Sequence, residues 1–177
     1  MSNAHVTPPV SAHDHVQGPA DAPVTLIEYG DFECSYCGMA YPIVKAAQQA
    51  LGDRLRFVFR NFPLREVHPH AEHAAEASEA AAAQGRFWPM YDALYEHQRA
   101  LGDADLVRYA EDVGLDVARF TREMTAGAYA EPVREEFMSG VRSGVNGTPT
   151  FFINGARYDG DWRDAEGFVA ALARAAA

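Results

Sequence analysis

The chain has 177 residues, 48% of them apolar and 23% charged, a composition that excludes a disordered segment and predicts a folded domain with a sizeable core. A net charge of −10 argues against nucleic acid as a partner, and no run approaches the roughly 20 apolar residues that membrane insertion needs. The N-terminal segment has neither a basic start nor an apolar run, which reads as cytoplasmic, or as periplasmic or extracytoplasmic if a signal peptide has been removed.

Residues 1–15 are polar, include Pro8 and Pro9 and show no period, so they read as a flexible tail; His5, His13, Asp14 and His15 there read as solvated. Val24 to Tyr29 is rich in β-branched and aromatic residues between Pro23 and Gly30, which predicts a buried strand. A helix is predicted over 35–50, ending at Gly52 and kinked by Pro42. In 54–60, Leu55, Phe57 and Phe59 alternate with Arg54, Arg56 and Arg60, the pattern of a second strand with one polar side and the close of a β-α-β unit. Helices then follow over 69–84, 87–98, 103–113, 116–125 and 129–143, punctuated by Gly85, Gly102, Gly114 and Gly127. Residues 150–153 and 156–158 flank Asn154-Gly155, a hairpin signature, and a last helix covers 164–175.

Only two cysteines occur, Cys34 and Cys37, too few for a disulfide framework. Their spacing at a helix start lets the sulfurs reach bonding distance, and it is also half of many zinc sites. Zinc needs two further ligands. His68, His70 and His73 are present, yet nothing local pairs with the cysteines, and caps and surface contacts account for those three rings. No metal site is therefore assigned. At the helix N-terminus Cys34 meets unpaired N–H groups and the positive end of the dipole, which favours its thiolate and makes it the predicted nucleophile. Cys37, one turn in, is the predicted resolving thiol. Phe32 and Tyr36 flank the cysteines, where deep burial is difficult, and are groove candidates for substrate.

Three separated stretches, GPADAPVTLIEYGDFECSYCG, then NFPL with HPHA, then GVNGTPTFFING, resemble the DsbA-like branch of the thioredoxin superfamily. The resemblance covers almost the whole folded chain. It implies an α/β thioredoxin fold with an inserted all-helical subdomain, its halves at 16–64 and 145–177 and the insertion at 65–144. It further implies thiol-disulfide exchange, and the expected protein is a monomeric thiol-disulfide oxidoreductase that acts on protein thiols or disulfides with a redox partner and without a cofactor. Carried over by position, Pro42 kinks the cysteine helix, Glu28 is a buried acid that takes the proton of Cys37, and Pro149, cis after Thr148, faces the cysteines with substrate alongside. A redox-sensing or regulatory binding module using the same pair without turnover is the rival reading.

Between the cysteines the chain departs from well-known members: Ser35-Tyr36 contains no histidine, and Asp31 and Glu33 precede the pair. Lacking a cation and facing two acids, Cys34 is expected to be less acidic and the pair less oxidising than in the most oxidising relatives.

Overall fold

Residues 4–177 are described in the computed structural model; the start of the expected tail, residues 1–3, lies outside them. Strands β1 (His15–Gln17), β2 (Val24–Gly30), β3 (Leu55–Asn61), β4 (Thr150–Ile153) and β5 (Ala156–Arg157) form one sheet in the order β1-β3-β2-β4-β5. In β2 every residue but Thr25 is buried, which explains a near-continuous apolar run where a half-exposed strand would alternate. Helix α1 (Ser35–Leu51) follows it and runs through Pro42. Pro42 there leaves one backbone hydrogen bond of the helix unmade. Asn154 (φ 49°) and Gly155 (φ 82°) take the left-handed conformations that a two-residue hairpin turn requires, closing β4 on β5. The C-terminal helix α7 (Ala165–Ala175) is capped by Asp164, which accepts from the Gly167 N–H at 3.1 Å, and it buries Phe168 and Leu172. The Phe168 and Phe151 ring centroids lie 5.0 Å apart.

Two compact units are separable. One comprises the residues to Gly30, Met39–Arg60 and Met138–Ala177; the other comprises Asp31–Gly38 and Asn61–Phe137. The second holds α2 (Ala71–Ala82), α3 (Phe87–Glu96), α4 (Asp103–Asp112), α5 (Val117–Thr125) and the start of α6 (Ala130–Arg142). The alanine-rich face of α2 is buried, with Ala74, Ala77, Ala80 and Ala81 fully covered, so small side chains let neighbouring helices approach closely. These boundaries differ from a linear division at 64/65 and 144/145. Residues 31–38 group with the helices because their hydrogen bonds go to His68, His70 and Gln98.

Two expectations about the sheet unit are corrected. Arg60 was expected on a polar strand face, but it is buried: its guanidinium donates to Asp14 (2.6 and 3.1 Å), the Tyr29 hydroxyl (2.8 Å) and the carbonyls of Pro8 (3.1 Å) and Pro9 (3.3 Å). Burial opposes its charge, and Asp14 and Tyr29 outweigh that and push its pKa further up. The same contacts show that the described part of 1–15 is tied to the sheet, where a loose tail was expected. Val6 N–H reaches the Gly155 carbonyl at 2.9 Å, Thr7 N–H reaches Ser143 Oγ at 2.8 Å, and His15 begins β1.

Candidate active site

Cys34 precedes α1, and its carbonyl accepts the Gly38 N–H at 3.1 Å, the helix's opening i→i+4 bond. That places its sulfur at the helix N-terminus, where unsatisfied N–H groups favour negative charge. Cys37 sits one turn further and is fully buried, whereas Cys34 is 4% exposed. Asp31 organises the approach. Its carbonyl accepts the Cys34 N–H at 3.1 Å, and its own N–H donates to Cys37 Sγ at 3.5 Å.

The side chain of Asp31 is fully buried and accepts three donors: Glu33 N–H at Oδ1, and Leu64 N–H and His68 Nδ1 at Oδ2, each at 2.8 Å. Glu33 is engaged in turn by His70, through the ring Nδ1 at 2.8 Å and the backbone N–H at 2.6 Å. The expectation that these two acids act as bare negative charges beside Cys34 is therefore corrected, since each carries a histidine partner from 37 residues downstream. Partial burial works against a charged His68 ring, but the Asp31 carboxylate, helped by Cys34 and Glu33, raises its pKa above the ordinary histidine value. His73 makes a third such pair, with Asp103 at 2.8 Å, so the three rings turn to three different carboxylates.

Gln98 was missed at the sequence level. Its side-chain NH₂ donates to the carbonyls of Phe32 (2.7 Å) and Cys34 (2.9 Å), clamping the loop before α1. Gly38 makes room for it: a Cβ there would collide with the Gln98 side chain. No local pattern marks Gln98, because its partners are backbone atoms more than 60 residues away.

The other anticipated residues divide by unit. Tyr36 is exposed beside the cysteines, 52% accessible. Phe32 is not available as a groove residue. It is 1% exposed, packed on Tyr91 and Tyr95 at centroid distances of 5.9 and 4.9 Å, because the aromatic face of α3 gives it an apolar site. Glu28 is fully buried in β2, opposite Phe151. The Thr148-Pro149 bond is cis, as is Thr7-Pro8, and both Thr148 and Pro149 are half-buried. Tyr29 pairs with Thr150, so Thr148-Pro149 enters β4 at the end where β2 leaves toward Asp31.

A sheet of this order with a cysteine pair at the start of the helix after its central strand defines a thioredoxin-fold thiol protein with the helical insertion of DsbA-like proteins. A family profile described as thioredoxin matches residues 11–173, and the chain belongs to that family. Among solved structures it is similar to oxidised BdbD from Bacillus subtilis, with a TM-score of 0.84, 21% identity and 99% of both chains covered. It is also similar to a thioredoxin-like oxidoreductase from Silicibacter pomeroyi, with a TM-score of 0.79, 27% identity and 94% and 95% of the two chains covered. Curated relatives include proteins named Na(+)/H(+) antiporter NhaA. The chain is 49% identical over 151 residues to one from Salinispora tropica, covering 84% of this chain and 23% of that protein. It thus spans about a quarter of the length of the curated relatives it matches. None of its helices is long and apolar enough to cross a membrane, among the described residues.

Proposed function

We propose that the protein is a thiol-disulfide oxidoreductase exchanging disulfides with protein substrates through Cys34 and Cys37. The observation that carries this reading is the placement of Cys34 at the N-terminus of α1 with Cys37 one turn behind it, under the Asp31 N–H. In the reducing direction the Cys34 thiolate attacks a substrate disulfide, forming a mixed disulfide and releasing one substrate thiolate. Cys37 then attacks Cys34 Sγ, the mixed disulfide breaks, and a Cys34–Cys37 disulfide forms as two electrons pass to the substrate. Cys37 gives up its proton in that step, and Glu28 is the assigned acceptor. Oxidation of substrate dithiols runs the same steps in reverse.

Substrate chain is assigned to the Thr148-Pro149 segment, where main-chain pairing selects by extended backbone and not by sequence. The exposed Tyr36 ring, beside the cysteines in the chain, is the assigned aromatic contact for substrate. Support comes from the register that brings this segment to the end of β2 from which the cysteine loop departs. In an insulin-reduction or scrambled-ribonuclease assay the protein should act catalytically, and Cys34→Ser should fall to the uncatalysed rate. Equal rates for the two would sink the exchange reading and favour a sensor without turnover.

A further inference from the structure

Between Cys34 and Cys37 there is no ionisable nitrogen, yet the ring of His68, on the segment after β3, is held by Asp31, a residue bonded to both cysteines. Its position is fixed by Asp31, whose carboxylate binds Nδ1 at 2.8 Å. That same residue is hydrogen bonded to both cysteines, through its carbonyl to Cys34 N–H and through its N–H to Cys37 Sγ. Asp31 cannot turn away, because Glu33 N–H and Leu64 N–H hold its two oxygens in place. The groups facing His68 are Asp31, Cys34 and Glu33, and Glu33 is engaged by His70. Arg65, a cation nearby in the chain, is directed to Glu66 and Glu72 at 3.8 Å.

We propose that His68, oriented by Asp31, is a positioning residue that supplies the positive charge setting the acidity of the Cys34 thiol. This deepens the thiol-disulfide exchange reading and rests on it for its biological meaning. With the ring protonated, the Cys34 thiolate has a counter-charge and Asp31 is neutralised. With the ring neutral, the carboxylate of Asp31, whose backbone binds both cysteines, loses its counter-charge, and the thiolate is disfavoured. The support is therefore present on the acid side and fades as pH rises through the elevated titration range of His68.

Two measurements on the full chain test this, and neither requires turnover. The first follows thiolate ultraviolet absorbance against pH in Cys37→Ser, with and without His68→Gln. The His68 change should lower the thiolate fraction at mildly acidic pH about three- to tenfold, the low end for an opposite charge because the ring is partly solvated. Superimposable curves would overturn the proposal. The second follows the His68 ring by NMR in the reduced wild-type protein and in Cys34→Ser. Coupled sites shift each other reciprocally, so removing the thiolate should lower the His68 midpoint by a comparable factor. A midpoint indifferent to Cys34 would also overturn it. Coupling without insulin reduction refutes the exchange reading alone, and insulin reduction without coupling refutes this one alone.

Discussion

In the sheet-bearing unit the Arg60–Asp14 pair is sealed, its side chains 4% and 7% exposed, while the cysteine-bearing unit matches its acids with histidines whose rings are between 24% and 59% exposed. Arginine does not lose its proton in a protein, so the first arrangement is permanent across the physiological range. Histidine changes charge near neutrality, so the second is adjustable by pH and weakened by salt. The same kind of contact is thus fixed where it is buried and arginine-based, and open to solvent and salt where it is half-exposed and histidine-based.

The contrast is broken most directly at Asp14. Asp14→Ala leaves the Arg60 guanidinium buried without its carboxylate, and denaturant unfolding should show a loss of about 3–5 kcal/mol. The Cys34 thiolate titration should stay in place, and a shift there would mean that the buried pair also tunes the sulfur.

A smaller effect is expected at Gly38→Ala, where the new methyl group must displace Gln98 and its two hydrogen bonds to the cysteine loop. The cost should be about 1–3 kcal/mol, with slowed exchange by the surviving folded protein. An alanine variant of full stability and rate would show that Gln98 is not the clamp.

The smallest is at His73, whose pKa is raised first by its hydrogen bond to Asp103. A raised folded-state pKa contributes stability that is fully present below about pH 6.5, the ordinary histidine value, and is lost as pH climbs through the folded value. Because both side chains are more than half exposed, screening should hold the contribution to about 0.5 kcal/mol or less. His73→Ala should accordingly flatten the stability-versus-pH curve slightly, and an unchanged curve would remove this pair from the comparison.

What the sequence made legible followed from local signals. β2, α1, β3, the Asn154-Gly155 hairpin and the helices between them lie within about two residues of the pattern-based bounds, because periodicity, glycine breaks and capping act over a few residues. β1 was not legible: three residues carry no period, and their pairing with β3 is settled some 40 residues away. Phe32 turns inward because α3 presents Tyr91 and Tyr95 to it, which no neighbour in sequence announces. Of the site, the cysteine spacing was readable and the charge balance was not. Counting Asp31 and Glu33 as acids was correct, but their partners sit on His68 and His70, and only folding brings the two segments together.

The contacts of Arg60 bear on where this domain can be cut or joined to another chain. Asp14, Pro8 and Pro9 all precede β1, and Tyr29 is the acceptor that lies further along. A junction placed between Asp14 and β2 would strip the guanidinium of its anion and of both carbonyls. The portable piece accordingly keeps not only Pro8 but also Thr7, Val6 and Ala4, which are bonded to Ser143, Gly155 and Arg157, and a grafted linker belongs ahead of Ala4.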